Sequence, residues 1–477
     1  MSTDVADELP LAGRCVRLEG DSPALEAARR MLQVLGAAEG SGAGGDLLGA
    51  IGLTGAAEEI VVSGATAAAD WARSGAMALT GRADGPPVLA PGAPASAVDG
   101  ALAVLELCRG VRSAAGVDLL GERAAIAGLR RRAPWSAGGA FRTLRARDGW
   151  VGLSLARDTD IEMLPALLCR DFRGDPWTAL AGWIAGTPAS EVVARADLLG
   201  IPAARVRSPE GVGRPGIRVL GGGRRRRAGG VPLLVDLSSL WAGPLCAQLL
   251  GSTGVRVIKV ESIQRPDGAR AGPRDFFDLL HAGHRSVALD FSTRSGRSDL
   301  MSLLRRADVV VEASRPRALR QLGIDAEQFV AEGTVWASIT AYGRDVDNAM
   351  RVGFGDDVAV GAGLFAEDDE GPFPIGDALA DPLAGVHAAA AVAAGLCGGR
   401  GYLLDVSMRD VAREAATAVV DEPSATVEST GSRWHVLTGG RRVEVAAPRA
   451  RPLVGRAVPI GADTGTALRS PSGTCPG

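Results

Sequence analysis

Residues 233–262 read LLVDLSSLWAGPLCAQLLGSTGVRVIKVES. Leu233–Leu237 is an apolar run of strand length. Residues 241–254 then carry a helical pattern and stop at a glycine, a common helix-ending residue. Val255–Glu261 is a second apolar strand. Strand, helix and strand make one βαβ unit with a right-handed crossover. Downstream, HRSVALDF, ADVVVEA and TVWASITAY add further buried-looking strands with helical stretches between them. The alternation predicts an α/β fold: an open, mostly parallel, Rossmann-like sheet with flanking helices. Ligands bind such sheets at the carboxyl ends of the strands.

Outward from this block the texture changes. Residues 66–110 are Ala-rich and read as helical around the loop TGRADGPPVLAPGAPAS. GGAFRTLRARDGWVGLSLA alternates apolar and polar residues about Arg147-Asp148-Gly149, the pattern of a hairpin. Asp175-Pro176-Trp177 starts a helix, with proline at its first position. The reading divides the chain into a helical segment (1–130), a small α+β domain (131–206), a linker (207–230), the α/β domain (231–410) and a C-terminal extension (411–477). The linker carries GGG and Arg224–Arg227, an anion patch or, as is commoner, a solvated stretch.

The bulk numbers exclude several classes. The chain has 477 residues, 46% hydrophobic and 22% charged, which suits a globular protein with ample core. A net charge of -3 gives no reason to expect nucleic acid. No uninterrupted apolar run looks long enough to span a bilayer, and the acidic N-terminus lacks signal-peptide order. The expectation is a cytoplasmic protein without a membrane partner. The six cysteines form no CxxC pair, and His281 and His284 have no nearby ligand to complete a metal set.

Glu261 ends the second strand, where an acid can hold a ribose. The loop after the first strand, SSLWAGP, nevertheless lacks GxGxxG, so dinucleotide binding is disfavoured. The segment Pro374–Leu396, PIGDALADPLAGVHAAAAVAAGL, is more informative. An Ala-rich helix running from Pro382 puts Asp381 at the N-cap and proline at N1. The helix dipole then favours the anion, the state a carboxylate nucleophile requires. Taken alone, such an Asp most often only caps a helix. Asp377, next to Gly376, is a weaker candidate of the same sort.

VDLSSLWAGPLCAQLLGSTGVRVIKVES, the run from HAGHRSVALDF to LRQLGID, and VWASITAYGRD together resemble the family III CoA-transferases (the CaiB/BaiF family), in order and spacing across 231–410. In that family a catalytic Asp lies four residues before a glycine that opens into a helix, and Asp381 and Gly385 stand in that relation. The resemblance implies that Asp381 attacks an acyl-CoA thioester, forming an aspartyl-acyl anhydride and CoA thiolate, and that CoA passes to an acceptor carboxylate. It places Trp241 and Ala242 beside the thioester, with the Ala242 N–H polarising its carbonyl. It turns Glu261, Arg265 and Arg285 towards the CoA. Coenzyme A enters as acyl-CoA substrate, with no permanently bound cofactor and no metal. The partners implied are acyl-CoA, a carboxylic acid acceptor and, in the family's usual assembly, a second subunit of a homodimer. An α-methylacyl-CoA racemase of the same family uses a His in Gly-His-Asp, where this chain has Phe354, so racemase is the lesser reading. A CoA-binding or assembly protein with little catalysis is another.

The chain departs from the family's order. GGAFRTLRARDGWVGLSLA resembles the start of the family's small domain yet precedes the α/β block. RSGAMALTGRADGPPVLAPGAPASAVDGALAVLEL echoes the catalytic segment, with Ser96 in place of Asp381 and Gly100 in place of Gly385. The chain therefore reads as a rearranged tandem. Residues 1–130 are the degenerate helical remnant of a first module that lost its sheet, and Ser96 has no obvious base. The first half is expected to cover the second half's site.

Overall fold

The structure is a computed structural model that describes residues 9–40, 50–53, 60–208, 213–226, 229–345, 348, 350–419 and 424–469. Its centre is a seven-stranded sheet. In chain order its strands are β1 (Ile217–Arg225), β2 (Leu233–Asp236), β3 (Arg256–Ser262), β4 (Arg285–Leu289), β5 (Val309–Glu312), β6 (Val335–Thr340) and β7 (Arg400–Ser407). Side by side they run β4-β3-β2-β5-β6-β7-β1. Only β1 is antiparallel to its neighbour. The parallel strands carry apolar runs such as Val309–Val311 because helices cover both faces and both must be dry. Strand order reverses between β2 and β5, so a crevice is expected at their carboxyl ends. The α/β expectation holds.

Four helices position the site: α1 (Pro94–Arg109), α2 (Ala242–Ser252), α3 (Gly355–Ala362) and α4 (Ala380–Gly398). The central helix is α4, which packs against both α1 and α2. A Cβ on Gly385 would sit 2.6 Å from the Ala242 carbonyl oxygen, so glycine alone lets α4 cross the start of α2 this closely. Gly100 does the same in the echoing segment: its Cβ would sit 2.4 Å from the carbonyl of Ala24, on the helix Pro23–Val34. The two helices thus use the same packing device, and α1 and α4 lie against each other. By length and composition α4 could cross a membrane, which corrects the expectation that no run was long enough. In this fold 89% of it is buried by protein.

Other expectations need correction. The first segment is not purely helical: Cys15–Glu19, Ala38–Glu39, Ala50–Leu53 and Ile60–Val61 form a four-stranded sheet. Nor is 207–230 only a linker, because it contains edge strand β1. A Cβ on Gly223 would overlap the Val330 carbonyl at 1.7 Å, so the glycine run permits a helix to lie directly on the strand. Arg224 donates to the Glu332 carbonyl and Arg226 pairs with Asp308, which gives the arginines structural partners. Arg227 lies outside the described residues.

Phe141–Ala146, Gly149–Ser154 and Ala203–Val206 form a small antiparallel sheet around a separate apolar cluster that includes Leu144, Val151, Leu180 and Val192. This unit stands on α3. Ser154 donates to Asp357 at 2.8 Å, and Thr143 to the Pro372 carbonyl at 2.5 Å. Near the C-terminus, Asp463 and Thr464 accept the Ser286 and Ala288 N–H groups. That covers the exposed side of edge strand β4.

Candidate active site

The site is built around the entry to α4. Gly376 (φ 65°) and Ala378 (φ 44°) both take left-handed backbone, and for alanine this costs of order 1–3 kcal/mol. The surroundings hold the turn in place. The Ala378 N–H donates to Asp356 at 2.9 Å, and the Asp381 N–H donates to the Ala378 carbonyl at 2.9 Å. The helix begins at Ala380, so Asp381 sits in its first turn rather than at the N-cap.

Three carboxylates converge here. Arg123, from the first half, donates to Asp377 through Nε at 2.8 Å and Nη2 at 2.5 Å, and its guanidinium lies 5.0 Å from the Trp241 ring centre. Burial opposes the Arg123 charge, but Asp377 outweighs it and keeps the group cationic. Asp356 and Asp381 share the same surroundings. Burial, then Asp377, pushes Asp356 up to about 6, against Arg123 and the Ala378 N–H. Burial pushes the half-buried Asp381 up to about 7. Arg123 and the Gly355 N–H oppose that shift, while Asp356 and Asp377 add to it. Desolvation therefore outweighs the helix dipole, which sequence reasoning had taken to settle the ionisation. A Cβ on Gly355 would reach within 2.5 Å of Asp381 Oδ2, so the carboxylate needs that glycine.

The facing wall is the start of α2. Leu240 takes φ 70°, and its N–H donates to Asp267 at 2.9 Å. Trp241 follows as the helix cap, buried edge-on against Phe276 with ring centres 5.3 Å apart. First-turn N–H groups of a helix, here those of Ala242 and Gly243, have no acceptor within the helix. A Cβ on Gly243 would meet Ser238 Oγ at 2.1 Å. The only lysine, Lys259, lies 2.9 Å from Asp267 and 3.4 Å from Asp236, and donates to the Ser238 carbonyl. It ties the loop after β2 to the loop after β3.

The remaining expected residues fall into two groups. Glu261 is buried and accepts from Arg270 at 2.8 and 2.5 Å and from the Asp267 N–H at 2.9 Å. It holds the loop after β3 and presents no unpaired carboxylate. Arg285 is exposed and lines a crevice with Arg270, His281, His284 and Ala457. Burial and Lys259 push both histidines down, His284 to about 4, so both are neutral. Arg265 is exposed on the turn after β3 and does not line this crevice. Trp241, Ala242, Gly385 and Asp381 are brought together.

Sequence reasoning missed Arg123, and nothing in ERAAIAGL marks it out. It also passed over Asp356 as part of the site. Ser96, thought to lack a base, donates to Asp70 at 2.7 Å. Burial pushes that carboxyl up to about 6, against the Ser96 and Ser63 hydroxyls. Phe354 lies 5.4 Å from the Arg157 guanidinium and offers no proton-transfer group. Among the described residues, no cluster of His, Cys, Asp and Glu could hold a metal ion.

Residues 233–435 match CoA-transferase family III. The succinate–glutarate CoA-transferase of Agrobacterium fabrum is 29% identical over 201 residues, covering 37% of this chain and 50% of that protein. The formyl-CoA:oxalate CoA-transferase of Streptomyces coelicolor is 29% identical over 191 residues, covering 37% and 46%. A solved CAIB/BAIF family protein from Brucella suis is 26% identical, with a TM-score of 0.39, covering 43% of this chain and 64% of that one. The chain spans about half the length of the curated relatives it matches. The matched region holds α2, α3, α4 and Asp381, whereas Arg123 and the small domain lie outside it. Residues 233–435 are thus similar to CoA-transferase family III.

Proposed function

We propose that this protein moves coenzyme A from an acyl-CoA to an acceptor carboxylate, with Asp381 as the covalent relay. The observation that carries the reading is the placement of Asp381: a half-buried carboxylate in the first turn of α4, packed against the start of α2. The curated relatives named as CoA-transferases support the reaction class.

In the first step an Asp381 oxygen attacks the thioester carbonyl, giving an aspartyl-acyl anhydride and CoA thiolate. The thiolate attacks the aspartyl carbonyl, releasing the donor acid and leaving an aspartyl-CoA thioester. The acceptor carboxylate displaces the thiolate to form a second anhydride. The thiolate then takes the new acyl group and frees Asp381. Each step exchanges one acyl bond for another, which is what a nucleophile contributes. First-turn N–H groups of α2 face the developing oxyanion. Arg123 balances the charge of the carboxylate cluster. The reactive form of Asp381 is the anion, so its upward shift puts the working range at and above neutrality.

The test is a transfer assay that offers a panel of acyl-CoA donors with carboxylic acids and follows new acyl-CoA by mass spectrometry. The reading expects at least one donor–acceptor pair to exchange CoA, and Asp381→Asn to abolish the exchange. Deuterium entry at the α-carbon of a 2-methylacyl-CoA without transfer would favour the racemase instead.

A further inference from the structure

Two cysteines outside the proposed chemistry sit on the seam between the two echoing segments. Cys108 is in the last turn of α1 and Cys397 in the last turn of α4. The Cys397 Sγ donates to the Cys108 carbonyl at 2.8 Å, and the two thiols are neighbours. Both residues are half-buried. By contrast, Cys246 is fully buried, and Cys15 and Cys169 are exposed.

We propose that Cys108 and Cys397 form a thiol–disulfide exchange site that links the two copies covalently when a small-molecule disulfide is present. The packing of α1 on α4 and the contact of the Cys397 Sγ with the Cys108 carbonyl bring the pair together. The neighbouring Cys108 thiol, outweighing burial, lowers the Cys397 thiol to about 7, with Arg109 and Arg14 adding to the effect, which favours Cys397 as the attacking group. The same contact, then burial, raises Cys108. A thiolate of this kind is the nucleophile in exchange. The Cys397 thiolate attacks one sulfur of the disulfide RSSR, forming Cys397–S–S–R and releasing RS⁻. Cys108 then gives up its proton and attacks the Cys397 sulfur, expelling the second RS⁻. Two protein thiols and one RSSR become one protein disulfide and two RSH.

The test uses the full chain with oxidised glutathione at pH 8, followed by non-reducing digestion and mass mapping. The expected product joins the Cys108 and Cys397 peptides, while Cys169 carries glutathione. In Cys108→Ser the resolving thiol is gone, and Cys397 is expected to hold one glutathione. Wild-type protein in which Cys397 remains a thiol, or carries glutathione without a link to Cys108, would overturn the proposal. The readout does not depend on CoA transfer, so failure of one leaves the other standing.

Discussion

Arg123 grips Asp377 with two hydrogen bonds across 254 residues of sequence, four positions before Asp381. The first half of the chain thereby supplies the cation for a carboxylate cluster held by the second half. Arg123→Ala should leave the three acids without their counter-charge. Hydrogen bonds to charged groups contribute about 1.5–3 kcal/mol each, so a loss of at least about tenfold in transfer is expected. The rising limb of the pH–rate profile should move to higher pH, because Asp381 loses the group that favours its anion. Arg123→Lys should recover part of the rate. An unchanged profile in the folded Ala variant would remove Arg123 from the site.

The pH dependence follows from Asp381 itself. With a carboxyl pushed up to about 7, transfer should rise with pH and level off above neutrality. The same shift opposes folding once the group ionises. Its contribution to stability is fully present below the ordinary carboxyl range and is lost as pH rises through about 7. Asp381→Asn should therefore be inactive yet melt higher than the parent at pH 8. That gap should shrink as pH falls towards 4, which thermal melts across the range would show.

Glycines 100 and 385 allow a paired test. An added Cβ would meet a helix carbonyl at 2.4 Å in one and 2.6 Å in the other. Each Ala variant should lose about 1–3 kcal/mol by overpacking. Only Gly385→Ala shifts α4 against α2 at Asp381, so it should also lower kcat per folded molecule. Gly100→Ala should keep it. Urea melts and active-site-normalised rates separate the two effects.

Arg285 and Arg265 divide the expected CoA-facing surface. Arg285 lines a crevice with Arg270 and Lys259, whereas Arg265 lies exposed on the turn after β3, outside it. Arg285→Ala should raise KM for acyl-CoA several-fold, on the order of one charged contact. Arg265→Ala should change it little. Equal effects would mean that the nucleotide lies along the turn instead.

Much of the second half was legible because its strands are buried on both faces and read as continuous apolar runs, as at Val309–Val311. Asp381 and Gly385 were legible from their spacing. Strand β1 was not, because Gly221–Gly223 and the following arginines have a linker's composition. Gly223 is there to admit a neighbouring helix, a tertiary demand with no local signature. The short strands of the first segment lie among Gly-rich turns that mask their alternation. Arg123 was invisible for the same kind of reason: its partner is far away in sequence. The ionisation of Asp381 was misjudged because a helix dipole can be read locally and burial cannot.

The proposed relay requires Asp381 to carry the acyl group. Incubation with an acyl-CoA and hydroxylamine, followed by peptide mass spectrometry, tests it directly. The expected outcome is a hydroxamate on the peptide containing Asp381, at that residue and absent without acyl-CoA. Transfer that proceeds while Asp381 stays unmodified, or a hydroxamate on Asp356 or Asp377 instead, would contradict it.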